Sequence, residues 1–355
     1  MGPDPAVAAV RLAVRRALPV LDDGSGGRWV LDVRRDGAVL VACSGGADSL
    51  ALLAATVFEL RHVPLRVVGA VVDHGLQEGS DRHTAHVVEQ MASLGVDETA
   101  SIRVSVDPGP RGVEAGARHA RYAALSRLAE HYGAQRVLLG HTLDDQAETV
   151  LLGLTHGSGG RSIAGMRPAF SDDEGPRFVR PLLELTRRQT EAACRAEGID
   201  YWHDPHNADP RFVRARIRHT VMPMLERELG PGVAAALART GELLCDDLDA
   251  LDEMAEVEVQ RHDFATGVAV AGLETIPWAV RSRLLRTAAV RAGCPPRELT
   301  RDHVLGLEEM VWQRRGEPRD LDLPGHVRAT RRTEAGGDVL RLLSRGDDGS
   351  PPVAG

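Results

Sequence analysis

The chain is 355 residues long, with 43% hydrophobic and 26% charged residues, which excludes a disordered polymer and leaves room for two ordinary domains. Its 43 basic and 51 acidic residues give a net charge of −8, so a uniformly basic nucleic-acid coat is excluded, although a local patch is not. All 43 basic residues are arginine, and the absence of lysine removes a Walker-type phosphate loop, a lysine Schiff base and the lysine of protein kinases.

In chain order, Ala38 to Cys43 (AVLVAC) is an unbroken apolar run, which predicts a strand buried on both faces. A helix is expected from Asp48 to Leu60 and a second strand from Arg66 to Asp73 (RVVGAVVD). A helix from Arg82 to Leu94, a strand from Ser101 to Val106 and a helix from Glu114 to His131 follow. Arg136 to Gly140 predicts another strand, and Asp144 to Leu154 another helix. This alternation predicts an α/β fold, a doubly wound parallel sheet with ligands beyond the carboxyl ends of its strands. The composition changes beyond Pro223. Residues 231–275 hold ten acids and two arginines, whereas residues 281–345 hold fourteen arginines and nine acids. With helical apolar spacing through Leu237, Leu244, Leu248 and Leu251, this predicts a smaller, mostly helical domain over 226–345, after a catalytic domain over 1–225. Residues 346–355 are expected to form a disordered tail.

The four cysteines, Cys43, Cys194, Cys245 and Cys294, are scattered, and no C-x-x-C pair exists. They read as buried thiols in a reducing compartment rather than as zinc or iron–sulfur ligands. No apolar run approaches the roughly 18 residues of a membrane span, and the N-terminus lacks a secretory pattern. A cytoplasmic protein with no membrane partner is expected.

Directly after the first buried strand stands Ser44-Gly45-Gly46-Ala47-Asp48-Ser49, opening a helix. Two glycines permit a tight turn in which successive N–H groups point into one concavity, and the Ser44 and Ser49 hydroxyls add donors for phosphate oxygens. A carboxylate does not favour phosphate by itself, so Asp48 points to a Mg²⁺ ion bridging it to the phosphates; the alternative is a glycine turn with Asp48 as helix cap. Asp73 with His74, and Gly140 with His141, fall at strand ends where such a fold presents ligands. Asp145 and Glu148 share a helix face, as do Arg118 and Arg121. Either acidic pair member could instead lie on a solvated face. Arg118 could clamp a phosphate or carboxylate bidentately, with Glu114 as its partner or as an ordinary first-turn acid. Arg211, Arg214, Arg216 and Arg218 crowd eight residues with few nearby acids, which favours RNA backbone contact over a solvated face. The arginines from Arg281 to Arg301 and from Arg314 to Arg332 would form a second basic surface.

The string from Ser44 to Ser49 after a strand resembles the pyrophosphate-binding loop of the N-type ATP pyrophosphatases, the PP-loop superfamily. Further strings resemble the tRNA(Ile)-lysidine synthase family: Val72-Asp73-His74-Gly75-Leu76, Glu114 to Tyr122, Leu139 to Thr149, Gly157-Ser158-Gly159 with Gly165-Met166, Arg180-Pro181-Leu182-Leu183, Asp204-Pro205-His206-Asn207 and Phe212 to Arg218. Seven strings in the family's order cover about residues 37–225; the likeness is weaker beyond 226, where Leu323-Pro324-Gly325 is the best match. Two positions depart: Gln77 and His156 stand where the family usually has arginine.

The resemblance implies ligation of free lysine to C2 of the wobble cytidine in the CAU-anticodon isoleucine tRNA, through ATP-dependent adenylation of the base with Mg²⁺. It implies ATP contacts by Ser44, Gly45, Gly46, Ala47, Asp48, Ser49, Asp73, His74 and Arg118. It assigns the reaction centre to Asp48, His141, Asp145 and Glu148, with Asp145 and Glu148 holding lysine and the later domain contributing tRNA choice. The oligomeric state stays open, a homodimer included. A tRNA 2-thiolation enzyme resembles families with C-x-x-C pairs, which this chain lacks. An amidotransferase would need a glutaminase domain, for which residues 1–36 leave no room. A non-catalytic nucleotide-binding module would leave Asp48, Asp145 and Glu148 without a purpose.

Overall fold

The structure is a computed structural model that describes residues 2–18, 20–21, 31–32, 37–73, 75, 79–105, 113–156, 159–171, 175–202, 204, 209–312 and 318–344. It divides into two compact units, Met1–Cys245 and Asp246–Gly355.

The first unit begins with helix α1 (Pro5–Ala17), followed by a short parallel pair, β1 (Val20–Leu21) and β2 (Leu31–Asp32). Its main sheet contains β3 (Ala38–Ala42), β4 (Arg66–Asp73), β5 (Glu98–Arg103), β6 (Ala134–Leu139), β7 (Ala169–Ser171) and β8 (Arg177–Val179). The strand order is β5-β4-β3-β6-β8-β7, parallel throughout except for β7, which runs antiparallel at the edge. The connecting helices are α2 (Ala47–Leu60), α3 (Ser80–Ser93), α4 (Val113–Tyr132), α5 (Leu143–His156), α6 (Gly160–Ile163) and α7 (Arg187–Glu197).

The unbroken apolar run of β3 follows from this layering. Val39 and Val41 pack on one face with Val10, Leu50, Leu53, Met91 and Cys194. Ala38, Leu40 and Ala42 pack on the other with Leu125, Val137, Leu139 and Phe178. Successive side chains alternate faces, so a strand covered on both sides has no polar position to offer. Edge strand β5 starts and ends three residues before the expected Ser101–Val106. Only Ala100 is buried in it, so its sequence carries no apolar run to mark its ends. Its register is instead anchored by Asp97, whose carboxylate accepts the Val67 N–H at 2.7 Å.

The chain passes from α8 (Val213–Arg216) through a π-helical turn (Ile217–Val221) into α9 (Met222–Leu229) and then α10 (Val233–Arg261). The expected domain boundary at 225 falls inside this packing. Ile217 and Met222 bury against Ala147, with Leu151, Leu225, Val233, Ala234 and Leu237 around them, and the Cys245 thiol donates to the Ala164 carbonyl at 3.2 Å. The first unit therefore reaches Cys245.

The second unit completes α10 and adds α11 (Val270–Glu274), α12 (Trp278–Arg291) and α13 (Arg301–Trp312). Helices alone do not close it. An antiparallel sheet of β9 (Val268–Ala269), β10 (Arg319–Leu323), β11 (Val327–Glu334) and β12 (Gly337–Ser344), in the order β10-β11-β12-β9, buries Val327, Ala329, Leu340 and Leu342 against Leu284, Leu285, Leu307 and Met310. The expected tail, residues 346–355, lies outside the described residues.

Candidate active site

In the six-stranded sheet, β3 is followed in space by β4 and β5 on one side and by β6 on the other. The strand order reverses between β3 and β6, and a doubly wound sheet opens its ligand crevice at that point, beyond the carboxyl ends of the two strands. The loops after these strands carry Ser44–Ser49 and Gly140–Asp145.

The first loop is held by its own backbone and serines. Gly45 has φ +81°, in the left-handed region, and a Cβ there would stand 2.7 Å from Val87 Cγ2. The Ser44 N–H donates to Ser49 Oγ at 3.2 Å, and the Ser49 hydroxyl donates to the Gly46 carbonyl at 2.9 Å. The Trp202 N–H donates to the Gly45 carbonyl at 2.8 Å, and His83 Nε2 lies 3.1 Å from the Ser44 carbonyl oxygen. Helix α2 starts from Gly46 without a side-chain cap, so Asp48 does not serve as one. First-turn N–H groups without side-chain acceptors form an anion site at a positive helix end.

Gly140 brings the second loop against the first. A Cβ on Gly140 would come within 3.1 Å of the Asp48 carbonyl carbon and oxygen and of Ser49 Cα. The close approach of β6 to the start of α2 thus depends on glycine.

Beyond it Thr142 caps α5 while Asp145 reaches back, accepting from the Thr142 N–H at 2.9 Å and the Thr142 hydroxyl at 3.1 Å. The other Asp145 oxygen accepts from Arg187 Nη2 at 2.6 Å and from Arg218 Nη2 at 3.1 Å. Glu148 is 2% exposed and is gripped by Arg218 through both oxygens, with Arg187 Nη1 at 3.7 Å. Arg187 also places Nε 3.5 Å from Asp48 Oδ2, while the Thr190 hydroxyl donates to Asp48 Oδ1. Three carboxylates and two guanidiniums thus interlock, and among these five side chains one negative charge is in excess.

Burial pushes the Asp48 carboxyl up to about 6, against the pull of Thr190 and Arg187 and with help from Asp145. Burial also works against ionised Asp145, but Arg187, the Thr142 N–H, His141 and Arg218 outweigh it and hold its pKa below the ordinary carboxylate value. Asp145 and Glu148, the carboxylates expected to hold lysine, thus already accept from guanidiniums. Both are filled by arginine donors, because α7 and the π-helical turn bring Arg187 and Arg218 over the α5 face.

His141 also differs from a free acid–base group. Arg180 Nε donates to His141 Nδ1 at 3.2 Å, and burial together with Arg121 and Arg180 lowers the His141 pKa to about 3. A donor facing Nδ1 fits a neutral ring with its proton on Nε2. Arg180 is 5% exposed, donates through Nη2 to the Tyr122 hydroxyl at 3.3 Å and lies 4.5 Å over the Phe170 ring. Arg118 is exposed, 5.2 Å from the Tyr122 ring centre. Burial lowers the pKa of Arg121, and Arg118 adds to the effect.

Asp73 sits at the end of β4, but its Oδ1 accepts the Gly75 N–H at 2.8 Å and its Oδ2 lies 3.5 Å from Arg103 Nε. It shapes that turn and, with Asp81, Thr84 and Arg103, lines an open cavity of about 520 Å³. His74, Gln77, Pro205, His206 and Asn207 lie outside the described residues, as do the side chains of Glu114 and His156.

The expected RNA-facing arginines separate. Arg211 is exposed and paired with Asp209 at 2.6 Å, Arg216 donates to the Pro210 and Arg211 carbonyls, and Arg214 Nη1 lies 3.5 Å from Thr149 Oγ1. Arg218 turns inward to Glu148 and Asp145, which corrects its expected role as an outward contact. The expected second basic surface is largely neutralised within its own unit. Arg281 is buried on Glu308, Arg283 pairs with Asp252, Arg291 with Glu256, Arg319 with Glu309, Arg328 with Asp322, Arg331 with Asp338 and Arg332 with Asp320.

Arg187, Thr190 and the positioning of His141 by Arg180 were not singled out from the sequence. The available signal was Thr186-x-x-Gln189, a capping box that starts α7 and places Arg187 at its first position. Among the described residues, no three His, Cys, Asp or Glu side chains converge as metal ligands. All four cysteines are buried, and burial pushes the Cys43 and Cys194 thiols up to about 12.

Residues 26–225 match the PP-loop domain family. The tRNA(Ile)-lysidine synthase of Thermobifida fusca is 48% identical over 93% of this chain and 96% of its own length. That of Streptomyces coelicolor is 46% identical over 93% and 97%, and that of Salinispora arenicola 48% over 92% and 95%. Among solved structures, the U34-tRNA thiolase NcsA from Methanococcus maripaludis with its [4Fe-4S] cluster superposes with a TM-score of 0.52 at 16% identity, covering 67% of this chain and 80% of that one. This last likeness speaks to the fold alone.

Proposed function

The chain belongs to the tRNA(Ile)-lysidine synthase family, and on that premise we propose that it joins free lysine to C2 of the wobble cytidine in the CAU-anticodon isoleucine tRNA. The product, lysidine, changes decoding from AUG to AUA. The observation that carries this reading is Arg187, which reaches from Asp48 beside the phosphate loop to Asp145 on α5 and so joins a nucleotide site to a net-acidic cluster.

ATP binds with its phosphates at the loop from Ser44 to Ser49 and the start of α2. The C2 carbonyl oxygen of the cytidine forms a bond to the α-phosphorus, and pyrophosphate leaves. The unprotonated lysine amine then forms a bond to C2, the C2–O bond breaks, and AMP leaves with that oxygen. First-turn amides and arginines fixed in place favour charge developing on the phosphates without reorganising. Neutral His141 suits donation from Nε2 and is too weak a base near neutral pH to deprotonate the amine.

The donor set fits a magnesium ion completed by substrate. Asp48 is a single carboxylate with unfavourable burial that a cation would relieve, and Mg²⁺ commonly binds through one or two carboxylates, waters and phosphates. When bound, the ion neutralises charge on the pyrophosphate. The excess negative charge of the Asp48, Asp145 and Glu148 cluster likewise suits lysine, whose ammonium group it can balance. Exposed Arg211 and Arg216 are positioned to meet tRNA phosphates, with the second unit contributing tRNA choice. The protein would work in the cytoplasm; no described helix is long and apolar enough to cross a membrane.

Incubating the full-length protein with ATP, lysine and isoleucine tRNA tests the proposal. Pyrophosphate release that requires this tRNA, with lysine incorporated at the wobble cytidine, supports it. Sulfur incorporation, or ATP binding without turnover, would replace it with another reading.

A further inference from the structure

His141 follows Gly140, whose Cα packs closely on the first turn of α2, so the residue lies next in the chain to that contact with the phosphate loop's helix. An orienting partner for a ring nitrogen is most often a carboxylate or carbonyl, which accepts the imidazole proton and raises its basicity. Here the partner is a guanidinium. Arg180 cannot accept a proton, so a hydrogen bond from its Nε to His141 Nδ1 requires Nδ1 to be unprotonated and places the proton of the neutral ring on Nε2.

Arg180 is itself over-determined. It follows β8, which lies beside β6 in the sheet, and is 5% exposed. One Nη donates to the Arg167 carbonyl, the other to the Tyr122 hydroxyl at 3.3 Å, and the guanidinium lies 4.5 Å over the Phe170 ring. Phe170 in turn stacks on Phe178 with ring centres 5.0 Å apart, and Tyr122 meets both rings edge-on. Each Arg180 nitrogen therefore has a fixed acceptor, and nothing in this arrangement needs an unoccupied guanidinium for substrate.

Resting on the function proposed above, we propose that Arg180 is a positioning residue that locks His141 as a neutral Nε2–H donor toward an anionic oxygen of the nucleotide phosphates. The other charged groups acting on His141 are Arg118 and Arg121 from α4, which oppose its protonation, and Asp145 from α5, which favours it. With Arg180 removed, Nδ1 is free to carry the proton, while burial and Arg121 still oppose a charged ring. The low pKa of His141 agrees with this geometry.

The test uses full-length protein with ring-¹⁵N histidine, the His141 signal being identified among the 14 histidines by its loss in His141→Gln. The wild-type ring should carry its proton on Nε2 and show no titration over about pH 5 to 8, the range in which an ordinary histidine titrates. Arg180→Met should free Nδ1 to carry the proton, so that the neutral ring shifts toward the Nδ1–H tautomer. Its tRNA-dependent pyrophosphate release should fall roughly tenfold or more at the alkaline end, where a neutral Nδ1–H ring has no Nε2 donor. Arg180→Gln, whose amide can still donate to Nδ1, should keep the Nε2–H tautomer and the wild-type pH profile. A wild-type ring protonated on Nδ1, or titrating within that window, overturns the inference even if Arg180→Met fails to fold. So does an Arg180→Met enzyme with unchanged resonances and pH profile. The tautomer is read without substrates, so a correct tautomer in a protein that forms no lysidine would refute the functional reading instead.

Discussion

Arg218 holds Glu148 with two hydrogen bonds, Nε to Oε1 at 2.7 Å and Nη2 to Oε2 at 2.9 Å. This fork-to-fork pairing matches a planar guanidinium to a carboxylate and is stronger than two neutral hydrogen bonds. Arg218 lies in the π-helical turn Ile217–Val221, a local distortion that recurs at functional sites. Removing it would leave Glu148, 2% exposed, with Arg187 Nη1 at 3.7 Å as its remaining cationic neighbour. Arg218→Ala is expected to lower stability by about 3 kcal/mol, the usual scale for breaking a buried ion pair from one side. Arg211→Ala, at a surface pair, should leave the urea midpoint unchanged. Equal midpoints for the two variants would return Arg218 to the surface.

Asp48 should make stability depend on pH in a direction opposite to that of most paired carboxylates. The unfolded side chain releases its proton near 3.8, whereas burial makes the folded one hold it to about 6. Stability therefore falls as pH rises through that window and the carboxylate must ionise in place. Asp48→Asn should gain roughly 1 to 3 kcal/mol at pH 8, a gain that disappears near pH 4. The same variant should lose pyrophosphate release. Denaturant titrations at the two pH values, alongside the release assay, check both statements.

Neutralising one member of the acidic cluster should act on lysine more than on ATP. Glu148→Gln removes the excess negative charge that remains after Arg187 and Arg218 are counted. At saturating ATP and tRNA, the KM for lysine should rise by at least about tenfold, with the KM for ATP nearly constant. Unchanged lysine dependence in a folded variant would remove the cluster from the amino-acid site.

The first unit ends later than composition suggests, which makes truncation informative. A chain ending at 225 loses Val233, Ala234 and Leu237 from the cluster around Ile217 and Met222, whereas a chain ending at Cys245 keeps them. The 1–245 chain should unfold cooperatively and bind ATP. The 1–225 chain should melt lower or aggregate. Indistinguishable thermal transitions would show that the extra segment contributes nothing to the first unit.

Much of the sheet could be read along the chain because burial on both faces leaves a local signature. The run at Ala38–Ala42 and the span Arg66–Asp73 predict β3 and β4, and the glycine-rich turn after β3 predicts the phosphate loop at Ser44–Ser49. Edge strand β5 and the short β7 and β8 lacked that signature, as half-exposed or brief strands do. In the second unit, helical spacing marked α10, while the packing of β9 onto β12 depends on residues about 70 positions apart.

By itself, then, the sequence determined the order of strands and helices, the position of the phosphate loop and the acidic face of α5. These follow from period, glycine and capping chemistry, each a matter of a few neighbouring residues. Only the tertiary structure decided which charges meet. Arg187 and Arg218 lie 42 and 73 positions from Asp145, and no spacing rule couples residues so distant. They meet because the first residue of α7, whose N–H donates to Asp144, and the π-helical turn, whose Ile217 packs on Ala147, bring their guanidiniums to carboxylates whose burial demands partners. The same folding turned the second unit's arginines from an apparent basic surface into internal ion pairs, since a charge read along the chain says nothing of the acid that will stand beside it.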